Sequence, residues 1–199
     1  MSQQKVWDNI AQEWYMFKTS PANHVSEFLK NKKGKILDLG SGAGRHLQKI
    51  KQGKMYLVDF SKKMIRLAKQ RAQEKGLYSD TEFVVSDIKK LPFPDNFFDS
   101  AICIAIFHCL NPESQDKAVK ELFRVLKPNA QAEIAVWNKQ TKRFKNSPKE
   151  RYVAWRDKGA RYYYLFEPQE IYNLFKKHGF KIIRKEKPHR NIVFIVKKP

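Results

Sequence analysis

The chain has 199 residues and sets 40 Lys and Arg against 20 Asp and Glu, a formal charge of +20. It holds no apolar run of about 18 residues, which excludes a helical membrane span. Two cysteines, Cys103 and Cys109, are too few for a disulfide framework, and no second Cys or His pair sets up a zinc site, so no metal is expected. The segment from Met1 to Asn9 lacks a signal-peptide apolar region. One reduced, cytoplasmic domain covering 1–199 is therefore expected.

Val6, Ile10, Trp14 and Phe17 recur at helical spacing, and a second helix is expected from Ala22 to Leu29, just after Pro21. Together they form a helical cover over about 5–31. Lys35–Leu39 reads as a buried strand, and a helix is expected from about Ala43 to Ile50. Gly53 marks the turn into a second strand ending at Asp59. Ser61 is placed to cap a helix over Lys62–Lys75, which Gly76 ends. A third strand, Glu82–Ser86, is followed by the turn-rich Leu91-Pro92-Phe93-Pro94-Asp95-Asn96 and a fourth strand, Phe98–Ile104. Pro112 opens a helix to Leu126, which Lys127-Pro128-Asn129-Ala130 stops, and a fifth strand follows at Ala132–Trp137. Residues 138–166 read as an insertion without clear periodicity. A last helix, Glu167–Lys177, precedes two strands, Phe180–Lys185 and Asn191–Lys197, with no helix between them. Strands alternating with helices imply a parallel α/β sheet, and the closing pair an antiparallel hairpin at one edge.

The charge is uneven. Residues 138–199 hold 18 basic and 5 acidic side chains. Within 138–166, nine basic residues interleave with seven aromatics: Phe144, Tyr152, Trp155, Tyr162, Tyr163, Tyr164 and Phe166. Basic groups release counterions from phosphates and rings stack on unpaired bases, so nucleic acid is the expected partner. The competing reading is a solvated lysine-rich surface.

Asp38-Leu39-Gly40-Ser41-Gly42-Ala43-Gly44 carries the chemistry. Glycines let a ligand lie against bare backbone, and a helix starting there would present free N–H groups. Asp59, at the tip of the next strand, can accept both hydroxyls of a ribose. A nucleoside-bearing cofactor is implied. The G-x-G-x-G spacing is tighter than the G-x-G-x-x-G of dinucleotide sites.

That spacing resembles motif I of class I S-adenosylmethionine methyltransferases. Val58-Asp59-Phe60-Ser61-Lys62-Lys63-Met64, Ser86-Asp87-Ile88 and Phe98-Asp99-Ser100-Ala101-Ile102-Cys103-Ile104 are similar to later segments of that family. The resemblance implies a Rossmann-like class I methyltransferase fold, a mostly parallel seven-stranded sheet with an antiparallel edge hairpin. It implies S-adenosylmethionine as cofactor, held by Asp38, Gly40, Ser41, Gly42, Gly44, Asp59, Phe60, Asp87, Ile88 and Ile104. Cys103-Ile104-Ala105-Ile106-Phe107-His108-Cys109-Leu110 and Arg161-Tyr162-Tyr163-Tyr164-Leu165-Phe166 are similar to segments of the tRNA wobble-uridine carboxymethyl methyltransferases, which include the methyltransferase domain of the AlkB-homologue fusion enzyme. The implied reaction esterifies the carboxymethyl group of the wobble uridine, with His108, Arg161, Tyr162 and Lys18 gripping the acceptor. A small zinc-ribbon activator is the implied partner beside tRNA. Cys109 departs from that family's second histidine, and Lys18 stands where its arginine is expected. Two rivals share the cofactor motifs: a quinone- or sterol-type small-molecule methyltransferase, and a non-catalytic RNA-associated subunit that binds the cofactor.

Overall fold

The computed structural model describes residues 1–199. In chain order the elements are α1 (Gln3–Phe17), α2 (Asn23–Leu29), β1 (Gly34–Leu39), β2 (Gly53–Asp59), α3 (Lys62–Glu74), β3 (Thr81–Val85), β4 (Phe98–Ile104), α4 (Pro112–Val125), β5 (Leu126–Trp137), β6 (Glu150–Ala154), β7 (Ala160–Tyr164), α5 (Pro168–Lys177), β8 (Lys181–Lys185) and β9 (Asn191–Lys197). Seven strands make one sheet in the order β3-β2-β1-β4-β5-β9-β8. The first five run parallel, and β9 is antiparallel to both β5 and β8. The expected fold and its hairpin are thus present.

The sequence produces this sheet because its strands are apolar on both faces. Ile36, Leu37 and Leu39 of β1, Leu57 and Val58 of β2, and Ala101, Ile102 and Cys103 of β4 are fully buried. Strands of that kind are stable only between two helical layers. Local capping sets the helix starts. Ser61 Oγ accepts the N–H of Met64 at 3.0 Å to open α3, and Asn111 Oδ1 accepts the N–H of Ser114 at 2.9 Å to open α4. α5 begins with a capping box between Glu167 and Glu170. The end of α1 is held from outside: Arg71 of α3 donates to the carbonyls of Tyr15 (2.7 Å) and Lys18 (2.9 Å), satisfying acceptors that a helix end leaves open.

Three expectations change. The helix over 43–50 does not form; residues 42–46 are turns, and 47–50 carry no regular structure. Gly40, Gly42 and Gly44 have φ of +73°, +53° and +72°, and alternating left-handed residues interrupt a right-handed helix before it can nucleate. Strand five starts six residues early, at Leu126, because Asn129 takes a φ of +67° and the chain passes from helix into strand without a separate loop. The insertion is ordered: β6 and β7 pair antiparallel, with Tyr152 opposite Tyr162. Most of its rings are core. Phe144, Tyr162, Tyr163, Tyr164 and Phe166 are buried, leaving Tyr152 and Trp155 as the rings with notable access to solvent.

Candidate active site

The strand order reverses between β1 and β4, and open α/β sheets bind ligands beyond the carboxyl ends of strands at that reversal. A cavity of about 540 Å³ lies there. Its floor is built at the strand ends: Gly40, Ser41 and Gly42 after β1, Asp59 and Phe60 from β2, Asp87 and Ile88 after β3, Ile104 to Ile106 after β4. Its far wall comes from both ends of the chain, with Trp7, Trp14 and Lys18 at α1 and Tyr152 and Tyr162 of the β6–β7 hairpin.

The floor is shaped around bare backbone. A Cβ on Gly40 would sit 2.6 Å from the Ile106 side chain. One on Gly42 would meet nothing closer than Trp14, at 3.7 Å, and would instead fill cavity space beside Trp14 and Met64. Asp59 fixes this loop: Oδ2 accepts the N–H of Gly42 and Oδ1 the N–H of Ser61, both at 2.9 Å. Burial pushes its carboxyl up to about 6 despite these donors. Ala105 lines the cavity with φ +63°, a left-handed conformation costly for a residue with a Cβ, held by its N–H donating to the Ala135 carbonyl at 2.8 Å.

Of the residues singled out from sequence, Gly40, Ser41, Gly42, Asp59, Phe60, Asp87, Ile88, Ile104, Lys18 and Tyr162 line the cavity. Four do not. Asp38 is buried beneath the glycine loop, its Oδ2 without a partner, and burial with the nearby Asp59 raises its carboxyl to about 8. Gly44 packs against Ala68 and Leu57. His108 lies behind the wall: Nδ1 accepts the N–H of Trp137 at 3.1 Å, and the ring stacks on Trp137 at 4.9 Å and meets Tyr163 at a tilt at 5.5 Å. Burial lowers its pKa to about 3, so it is a neutral core histidine rather than a grip on an acceptor. Arg161 is only 6% exposed, donates to the Tyr163 hydroxyl at 2.8 Å and is boxed by the rings of Trp155, Trp7 and Trp14. It sits behind those rings and does not line the cavity.

Tyr162 keeps its place: its hydroxyl donates to Glu150 Oε2 at 2.8 Å inside the cavity. Sequence reasoning missed Trp7, Arg45, His46, Ala105 and Tyr152 as lining residues. Trp7 stands seven residues before Trp14 on the same helical face, a signal that was available. His46, also pushed down to about 3 by burial, has an unpartnered Nδ1, and Ser41 an unpartnered Oγ. No helix is long and apolar enough to cross a membrane, and no cluster of His, Cys, Asp or Glu could hold a metal.

Residues 36–129 match the family described as "Methyltransferase domain". The ubiquinone/menaquinone biosynthesis C-methyltransferase UbiE of Yersinia pestis is 34% identical over an alignment of 111 residues that covers 53% of this chain. The chain spans 43% of that relative, less than half its length. A solved S-adenosylmethionine-dependent methyltransferase from Methanosarcina mazei superposes with a TM-score of 0.72 at 23% identity, covering 89% of this chain and 98% of that one. A methyltransferase from Haloferax volcanii, solved in complex with the Trm112 methyltransferase activator, superposes with a TM-score of 0.76 at 17% identity over 97% of both chains.

The cofactor of such a domain is S-adenosylmethionine, and the residues present fit it. Asp59 still has lone pairs for ribose hydroxyls beyond its two backbone donors. Ser41 Oγ and His46 Nδ1 are buried polar atoms lining the cavity and lacking partners, and Gly42 leaves the floor open where a side chain would intrude. Residues 36–129 are therefore an S-adenosylmethionine-dependent class I methyltransferase domain, set within a Rossmann-like fold that runs through the whole chain.

Proposed function

We propose that the protein transfers a methyl group to a carboxylate carried on tRNA, the 5-carboxymethyl group of a wobble uridine being the acceptor. S-adenosylmethionine supplies an electrophilic methyl group on a positively charged sulfur. The chain's own residues bind, orient and exclude water. Asp59 and the glycine loop hold the nucleoside end, and Trp7, Trp14, Tyr152 and Tyr162 wall off the acceptor end.

One observation carries the choice of acceptor. The acceptor end offers two cations in no ion pair, Lys18 and Arg45, while the lining histidine, His46, is held neutral far below pH 7. A carboxylate is already ionised at neutral pH and needs no base, whereas an unactivated ring carbon or hydroxyl does. Lys18, Arg45 and Tyr162 then steady the acceptor, and Arg161 adds positive charge from behind the ring wall. A small activator protein is the proposed partner, in keeping with the Trm112-bound relative of the same fold.

A second reading, methylation of a quinone-like small molecule, is favoured by the 34% identity to UbiE. Methyl-labelled S-adenosylmethionine, bulk tRNA and an extract that supplies a partner separate the two. Label in tRNA that mild alkali releases is the expected result. Alkali-stable label in tRNA moves the chemistry to base or ribose, and label only in lipophilic metabolites hands the case to the second reading.

A further inference from the structure

Few large apolar side chains are exposed, and two of them are rings at this cavity. Phe17, at the end of α1 and packed on the lining Trp14, is 64% exposed, and Tyr152, which itself lines the cavity, is 67% exposed. These rings are anchored but bare. Phe17 touches Trp14 and Trp155 at centroid distances of 6.4 and 6.3 Å, and Tyr152 meets Tyr162 edge-on at 5.6 Å. Such rings are presented with little conformational freedom left to lose.

Cations gather at the same edge without acids to match. Lys18 Nζ rests over the Phe17 ring at 4.4 Å. Arg45 reaches the Ser20 carbonyl with Nε at 2.7 Å, and both Lys18 and Arg45 line the cavity. Neither makes an ion pair. The nearby acids are already engaged: Glu13 by Lys158, Arg156 and the Trp155 indole, Glu150 by the Tyr162 hydroxyl.

We propose that the rim carrying Phe17 and Tyr152 is a stacking platform for the single-stranded RNA that flanks the methyl acceptor, next to the Lys18 and Arg45 that hold the acceptor's carboxylate. This deepens the function proposed above and rests on its RNA acceptor. An apolar protein segment would cover the rings but strand the two unpaired cations, Lys18 and Arg45, at the contact, which is costly. Single-stranded RNA brings one negative charge per nucleotide together with a π-face on every base, matching both features at once.

The test is fluorescence anisotropy with a labelled single-stranded RNA of about ten nucleotides, within the span one such groove covers. The proteins are the native chain, Phe17→Ala, Tyr152→Ala and Tyr152→Phe, with the S-adenosylmethionine affinity of each measured alongside so that RNA affinity is compared at equal cofactor occupancy. Both positions are exposed, so folding is not at stake. Each Ala variant is expected to bind RNA about ten-fold more weakly, while Tyr152→Phe stays near native. Ala variants that bind within about two-fold of native, or a Tyr152→Phe variant as weak as Tyr152→Ala, overturn the platform. The two readings fail separately. If tRNA is methylated with a KM indifferent to both rings, the platform falls and the function stands. If binding depends on the rings but no tRNA is methylated, the platform stands and the function falls.

Discussion

His108 and Trp137 are joined twice: the imidazole Nδ1 accepts the Trp137 N–H at 3.1 Å, and the two rings stack at 4.9 Å with planes 24° apart. A ring committed to the end of β5 in this way holds the wall together. His108→Ala should lower stability by about 2–4 kcal/mol, as loss of a packed ring does. Affinity for S-adenosylmethionine should stay within about two-fold, since the ring does not reach the cavity. A calorimetric titration beside a urea melt checks both; unchanged stability with a large loss of affinity would put the ring in the cavity after all.

Acid should act through the same residue. Unfolded histidine titrates near 6.5, and burial holds folded His108 at about 3. The folded-state pKa is lowered, so the unfolded chain binds the extra proton between those values. The stability from neutral His108 is present above about pH 6.5 and is lost as pH falls toward 3. His108→Gln should therefore show a smaller drop in Tm from pH 7 to pH 4 than the native chain does.

Asp38 works in the opposite sense. Its carboxyl is raised from 3.8 to about 8, so the folded chain keeps a proton that the unfolded chain releases. Stability from this group is greatest below about pH 4 and declines as pH climbs toward 8. Asp38→Asn, a near-isostere of the protonated acid, should raise Tm, and by more at pH 8 than at pH 5. An equal shift at both values would refute the buried proton.

Asp59 ties pH to the cofactor. Its carboxylate must be ionised to accept hydroxyls strongly, and its pKa stands at about 6. S-adenosylmethionine affinity should weaken as pH drops through that value. Asp59→Asn should weaken it at pH 7.5 by about ten-fold or more and flatten the pH dependence. Affinity that stays level from pH 5 to 8 in the native chain would count against the assignment.

The strained Ala105 offers a backbone test. A β-branched side chain is poorly tolerated at φ +63°, whereas glycine is at ease there. Ala105→Val should destabilise the fold by about 1–3 kcal/mol and weaken cofactor binding, because Ala105 lines the cavity. Ala105→Gly should hold near-native stability, and the pair of melts decides it.

Legibility in the sequence falls off with distance along the chain. The Ser61 cap, the Asp59 strand tip and the glycine run are settled within a few residues of themselves, and the structure keeps each where local chemistry put it. The helix expected after Gly44 failed because the same glycines that bare the floor also turn the chain the wrong way for a helix. Which side of a wall a residue faces is decided elsewhere. His108 and Arg161 are turned from the cavity by Trp137, Tyr163, Trp155 and Trp14, partners in a strand, a hairpin and a helix that no periodicity announces. The basic-aromatic insertion shows no periodicity and reads as surface, yet β7 is buried on both faces.

Gln3 of α1 clasps the hairpin with both ends of one amide: Nε2 donates to the Ala160 carbonyl at 3.2 Å, and Oε1 accepts the N–H of Tyr162 at 2.9 Å. Trp155 adds a second hook to Glu13. These contacts tie α1 to the hairpin, so the cavity wall of Trp7, Trp14, Tyr152 and Tyr162 comes from residues outside 36–129, while the Ile10, Ala11 and Tyr15 face of α1 packs on Met64 and Leu67 of α3. A wall drawn from the two ends of the chain can be altered without disturbing the glycine loop and Asp59 beneath it.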